Sequence, residues 1–468
     1  EENWAHGMVA LSGSLASNLE TGTILTTSDD SYGMLASGSG SQGTNKGAIT
    51  TVGSGSHGMV ASDDAVADNL GSITTSGDGA YGMLALGGGT ARNQEGGTIE
   101  TLGAGSHGMV ADGEDSLVSN RGSVTTNGTA SHGMLALNGA QAVNLETGSI
   151  VTTSSDSYGM LASGTGSLAV NRGDIETFGS GSHGMVADQG ARALNFGDIT
   201  THGESAFGMY AMNGSFIYNY GADTIETGGA GSHGMVADNS YGENSGSIIT
   251  HGVGSYGMLS LAGGQVHNLA SGDIVTGNTY SHGLVAWGEG TEASLGTNAG
   301  TITTHGSEAY GALAIVGGEV HNLVSGTIET GGAYGHGMVA RDLGSAPSLA
   351  TNAGSVTTHG YGAYGMYALD GGIVQNLASG DIVTGNTGAH GMVAKGTGSI
   401  GTNSGNVTTH GTGAYGMYAL MGGQAFNLET GMIETGGAGS HGMVASDDSY
   451  AENAGSVVTH GGSAYGIL

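Results

Sequence analysis

The sequence predicts an all-β fold, a single-stranded parallel β-helix (β-solenoid) with three short strands per coil. Coils of about 25 residues, about 18 of them, would stack because none can bury its own apolar face alone. Three observations carry this expectation. A His/Tyr-Gly-Met-Val/Leu-Ala core recurs along all 468 residues, its glycine standing at 19 positions from Gly7 to Gly466 with a mean spacing of 25.5 residues. Every repeat also carries an aliphatic residue, a Thr and an Asn at fixed offsets. Glycine contributes 98 residues against one proline, Pro347, without the G-X-Y period of collagen. Disorder is the other common outcome of glycine richness, and it places no such demand on spacing.

The first element is read from Asn69-Leu-Gly-Ser-Ile-Thr-Thr-Ser-Gly77, where Asn69, Gly71, Ile73 and Thr75 share one parity. Period-two patterning of this kind predicts a strand. Its Ile/Val position recurs from Ile24 to Val457 and its Thr from Thr26 to Thr459, so both are expected to form inward ladders. Gly closes that strand, and a short polar turn leads to a second one, Gly108-Met-Val-Ala111. A third, weaker strand ends at Asn120, as its counterpart does at Asn144.

The asparagines Asn69, Asn93, Asn120, Asn144, Asn171 and Asn195 fall at one corner of successive coils. An Asn there can bond its own turn and the Asn of the next coil, giving an asparagine ladder. Parallel β-helices of the pectate-lyase kind resemble this arrangement. With strands ~4.8 Å apart, 18 coils predict a rod on the order of 85–90 Å long.

No stretch departs from the repeat for long enough to be a separate domain, so residues 1–468 read as one continuous solenoid. The residue before the core glycine alternates His6, Tyr32, His57, Tyr81, His107, slips at His132, and resumes to Tyr465. The duplicated unit is therefore two coils, about 51 residues. Excursions from Trp287 to Thr297 and from Arg341 to Thr351 are expected to bulge between strands and to be the places for sequence-specific contact. With no initiator Met and no signal peptide, the sequence reads as a processed chain or a window of a longer one.

Lys and Arg total 7 against 39 acidic residues, a net charge of −32. Such a surface repels nucleic acid and anionic membranes. Cysteine is absent, which removes disulfide and zinc-thiolate frameworks. No apolar run approaches the ~18 residues of a spanning helix.

Several residues could carry chemistry. His57 with Met59, and His107 with Met109, share a parity, and imidazole plus thioether suits a soft metal. The competing role is that Met fills the core and His caps a tight corner. A second series, His202, His251, His305, His359, His410 and His460, reads as solvated corner residues. Together the two series would gain charge below ~pH 6.5. Paired acids (Asp29-Asp30, Asp63-Asp64, Glu114-Asp115, Asp447-Asp448) could share Ca²⁺ at extracellular concentration, although none matches an EF-hand loop. No other cofactor is implied. The bases Lys46, Arg92, Arg121, Arg172, Arg192, Arg341 and Lys395 are scattered over the coils, which argues against an enzyme.

The middle residue of each Met-Val-Ala segment is apolar in every coil. Val60, Leu84, Val110, Leu135, Leu161, Val186, Tyr210, Tyr367 and Tyr418 belong to this series. If Met and Ala line the core, the series forms a continuous outward stripe, which must be covered either by the chain's own loops or by another copy. Lateral self-association is the expectation it favours.

With Asn-x-Gly-x-Ile-x-Thr-x-Gly…(Ser/Ala)-(His/Tyr)-Gly-Met-(Val/Leu)-Ala in every unit, the chain resembles the repetitive passenger regions of bacterial autotransporters and related large surface adhesins. That resemblance implies a right-handed β-helix, secretion to the bacterial cell surface or extracellular space, and a role in adhesion, aggregation or matrix. The family's C-terminal membrane barrel is not in the sequence, and Gly-Met replaces the more usual Gly-Ile. The expected function is a secreted structural protein whose acidic rods associate with copies of themselves. The alternative is an adhesin passenger that binds a host surface or a carbohydrate through its corner loops. A metal- or ice-binding solenoid is disfavoured, because the outward site beside the Thr ladder varies among Thr74, Glu100, Val151 and Ile249.

Overall fold

The computed structural model describes residues 5–221, 223–289, 292–344 and 346–468, all of them in strands, turns and corners. The chain divides into two compact units, Glu1–Ser232 and His233–Leu468. Both are parallel β-solenoids built from the same three strands per coil. A typical coil has a methionine strand (Met83–Leu86), an asparagine strand (Thr90–Asn93) and a threonine strand (Thr98–Thr101).

Coils stack in strict register. In the first unit Met83 pairs with Met59 and Met109, Asn93 with Asn69 and Asn120, and Ile99 with Ile73 and Val124. In the second unit Met366 pairs with Met338 and Met392, and Asn376 with Asn352 and Asn403. Each strand therefore satisfies its backbone against equivalent strands of the neighbouring coils, and the side chains of one position form a column. The columns of Met, Ala, Ile/Val, Thr and Asn close the core; Met83, Ala85, Ala91, Ile99 and Thr101 are all at most 1% exposed.

One boundary differs from the sequence reading. The stretch from Asn69 to Gly77 is not one strand: Val66–Asn69 ends one sheet and Ser72–Thr75 begins the next. The chain turns at Leu70-Gly71, where a Cβ on Gly71 would lie 2.1 Å from the Gly47 carbonyl oxygen. Shared parity survives the turn because Asn69 and Ile73 both face the interior.

Hydroxyls fasten the corner after the threonine strand. Thr101 Oγ1 donates to the Ser106 carbonyl at 2.6 Å, and Thr276 Oγ1 to the Ser281 carbonyl at 2.6 Å. Ser106 Oγ in turn accepts from the Ala80 N–H at 3.1 Å and donates to the Gly77 carbonyl at 2.8 Å. A buried corner is thereby left with its backbone groups paired. The serine column was visible in the sequence as the Ser/Ala before each His/Tyr, yet only its contacts reveal the role.

Candidate functional site

The asparagine columns are hydrogen-bonded chains. Asn69 Nδ2 donates to Asn93 Oδ1, Asn93 to Asn120, Asn120 to Asn144, Asn144 to Asn171 and Asn171 to Asn195, all at 2.8–2.9 Å. Each amide also donates to its own turn, Asn120 to the Gly122 carbonyl at 3.2 Å. Every member is at most 1% exposed, so this column is interior scaffold.

The residue before each core glycine forms a second column. In the first unit the rings from His6 to Phe207 stack at 4.5–5.2 Å, and in the second those from His233 to Tyr465 stack at 4.6–5.3 Å. Each histidine has a definite task. His57 Nδ1 accepts the Tyr81 N–H at 3.0 Å, His107 the His132 N–H at 3.0 Å, and His282 the Tyr310 N–H at 2.9 Å. Burial pushes His57, His107, His183, His233 and His390 down to about 4. His132, His282 and His336 fall to about 3, again mainly through burial. These eight rings are neutral acceptors through the physiological range, and for them desolvation corrects the expectation of charging below ~pH 6.5.

The metal pairing is corrected too. The chain turns at Gly58 before the strand Met59–Ser62 starts, so parity does not carry from His57 to Met59. Met59 and Met109 are fully buried in the core. His57 and His107 instead stand in the ring column, their Nδ1 atoms already engaged. Among the described residues no group of three or more His, Cys, Asp or Glu is placed to hold a metal.

The outward stripe is covered by the chain itself. Val60, Leu84, Val110, Leu135 and Val186 are 0–7% exposed, and Leu161, Tyr210, Tyr367 and Tyr418 are partly buried. Tyr32 and Tyr81 of the ring column, with Leu86 and Leu137 from the strand ends, pack against Val60, Leu84, Val110 and Leu135. Tyrosines in the stripe meet the column edge-on, Tyr367 lying 5.2 Å from Tyr364 at 89°. The sequence reading missed this because it treated the ring residues as corner caps and not as a wall. The chain's own ring column thus covers much of the stripe.

Along the same outer face in the second unit the covering opens into a cavity of about 350 Å³. Its floor is Val285, Leu313 and Val339, each no more than 8% exposed. One wall is the ring column at His282 and Tyr310, extended outward by Tyr280 and Glu308. The other wall is Trp287, Ile315, Arg341 and Leu369, the last residues of four successive methionine strands. Elsewhere that last position mostly holds Ser or Asp, as at Ser62, Ser163, Asp188 and Asp238, or Leu, as at Leu86, Leu137, Leu261 and Leu420, so Trp287 and Arg341 are the residues of this wall that depart from the repeat.

The first wall is unusual in its backbone. The corner two residues before each ring is left-handed; the second unit mostly uses glycine there (Gly254, Gly362, Gly388, Gly413 and Gly439), and small or acidic residues such as Asp30, Ala130, Ser205 and Ser463 hold it elsewhere. Three successive coils instead place Tyr280 (φ 57°), Glu308 (φ 53°) and Tyr334 (φ 55°), the first two of which line the cavity. A bulky side chain in this region costs roughly 1–2 kcal/mol. Tyr280 and Tyr334 are 50% exposed, so burial offsets only part of that cost. The Tyr280 hydroxyl donates to Glu308 Oε1 at 3.3 Å, and Arg341 Nε donates to Asp370 Oδ2 at 3.0 Å. Burial raises Tyr256 and Tyr310, and Tyr367 lies far above the usual phenol range for the same reason, so these hydroxyls stay protonated.

The loops that leave this second wall are the two long excursions; Gly290, Thr291 and Ser345 within them lie outside the described residues. Away from the cavity, the second histidine series is exposed, and His202, His359 and His460 meet glutamates of the preceding coil. His202 Nε2 lies 2.9 Å from Glu176 and His359 Nε2 2.9 Å from Glu329. The paired acids stay on surface turns, with Asp63, Asp64, Asp447 and Asp448 all at positive φ. Among the described residues no helix is long and apolar enough to cross a membrane.

The family described as the BigA third pectate lyase-like domain matches residues 1–94, 131–222 and 311–431. No curated protein matches the chain. Among solved structures, the chain is similar to one in the cryo-EM structure of the Vag8–C1 inhibitor complex. The identity is 16%, over 98% of this chain and 99% of that one, with a TM-score of 0.46.

Proposed function

The chain belongs to the BigA third pectate lyase-like domain family, and from that premise we propose that it is a surface-displayed, adhesin-type β-helix, a binding module and not an enzyme. It stands at the bacterial cell surface or beyond it and engages its partner through the groove of the second unit. One observation carries this reading: Tyr280 and Glu308 on one wall and Trp287 and Arg341 on the other replace the residues usual at these outward positions, all within three successive coils. A solenoid needs only its inner columns to stack, so coordinated change at outward positions is the mark of a contact surface. The inner hydroxyls and amides are committed to holding corners, which supports a scaffold role for the frame.

Binding of the labelled chain to epithelial cells, read by flow cytometry, tests the proposal. Replacing Trp287 and Arg341 together by serine, the residue used at Ser62 and Ser163, is expected to remove most cell binding while far-UV circular dichroism is unchanged. Undiminished binding overturns the groove as the contact surface. With much of the stripe covered by the chain itself, sedimentation at neutral pH is expected to give a monomer, and ordered filaments in electron micrographs would support the fibre reading instead.

A further inference from the structure

The geometry points to an uncharged pyranose ring, the sugar unit of a surface glycan, as the ligand of this groove. The inference rests on the groove being the contact surface. Size is the first argument. At about 350 Å³ the cavity is at the small end of ligand pockets, which run from about 300 to 1,000 Å³. It has room for one ring and its substituents.

Polarity is the second. The floor is aliphatic, so the ligand must offer an apolar face. Above it stand the phenols of Tyr280 and Tyr310, the Glu308 carboxylate and the Arg341 guanidinium. A pyranose combines C–H faces with a ring of hydroxyls that both donate and accept, and this matches a rim of protonated phenols, one acceptor acid and one donor base.

Charge is the third. The rim carries one acid and one base on opposite walls, and Arg341 is already paired with Asp370. A cation would meet Arg341 and an anion would meet Glu308, within a chain of net charge −32. A neutral ligand offends neither.

The experiment is a titration of the chain's tryptophan fluorescence with methyl glycosides of glucose, galactose, mannose and N-acetylglucosamine, alongside galacturonate and tetramethylammonium. At least one neutral glycoside is expected to give a saturable change that Trp287→Ala abolishes. Glu308→Gln, a surface change that leaves the columns intact, is expected to weaken the same binding tenfold or more. Saturation by galacturonate or tetramethylammonium alone overturns the inference in favour of a charged ligand, and no saturable response to any neutral glycoside overturns it outright. Cell binding keeps the two readings apart. If cells still bind the chain through Trp287 and Arg341 but no glycoside competes, the groove stands and its partner is a protein surface.

Discussion

At the scale of single residues the fold is governed by two demands, close approach of neighbouring coils and full pairing of buried polar groups. Gly108 shows the first. A Cβ there would lie 2.2 Å from Val124 Cγ1 and 2.5 Å from the Gly133 carbonyl oxygen, neither of which can retreat. Gly105 has φ +62° but nothing within 4 Å of such an atom. Gly108→Ala is therefore expected to prevent folding or to lower the melting point severely. Gly105→Ala is expected to lose only about 1–2 kcal/mol, the left-handed penalty alone. Equal effects in thermal melts would contradict the geometry. Asn120 shows the second demand. Its removal takes one acceptor from the Asn93 amide and leaves the Asn144 side-chain carbonyl without the column donor inside the core, so Asn120→Ala is expected to cost about 1–3 kcal/mol in a denaturant titration. Asn453 is exposed, and its alanine variant is expected to cost far less.

At the scale of elements, what matters is how a corner is locked between two strands. The Thr101 hydroxyl reaches the Ser106 carbonyl across the turn that launches the ring column. Thr101→Val keeps the shape and loses the bond, so it is expected to destabilise by about 1–2 kcal/mol. Thr125→Val, on the outward side of the adjacent threonine strand, is expected to be neutral within the error of the same titration. This scale also marks how far the sequence was legible. Ile73, Thr75 and Asn69 announced inward columns because burial imposes a fixed spacing on them. The break at Leu70-Gly71 was not legible, since a turn that preserves parity leaves the alternation undisturbed. Nor was the shielding of Val60 by Tyr32 and Tyr81, which comes from a neighbouring coil and leaves no local pattern. The groove was half legible. Its long loops stood out by length, whereas Tyr280 and Glu308 gain meaning only once their left-handed corner is known.

At the scale of the whole molecule the ring columns tie stability to acidity. An unfolded imidazole titrates near 6.5, but the buried rings hold out to about 4 or 3. Between those values the unfolded chain binds the extra protons, so stability is full above about pH 6.5 and falls steadily as pH drops toward 4. Each such ring contributes about 3 kcal/mol to that loss. Guanidinium midpoints taken at stepped pH values are expected to be flat above about pH 6.5 and to drop steeply below it; a flat profile throughout would refute buried neutral rings. The columns have a genetic corollary as well. At His107 and His132 the alternation skips, yet the two rings stack at 5.0 Å and 3°, and both still accept the next N–H, at 3.0 and 2.9 Å. A rung therefore tolerates either kind of neighbour, and unequal crossing-over can add or delete one coil as readily as a pair. Isolates carrying this locus are expected to differ in tandem copy number, with odd steps betrayed by adjacent histidines or adjacent tyrosines at the junction.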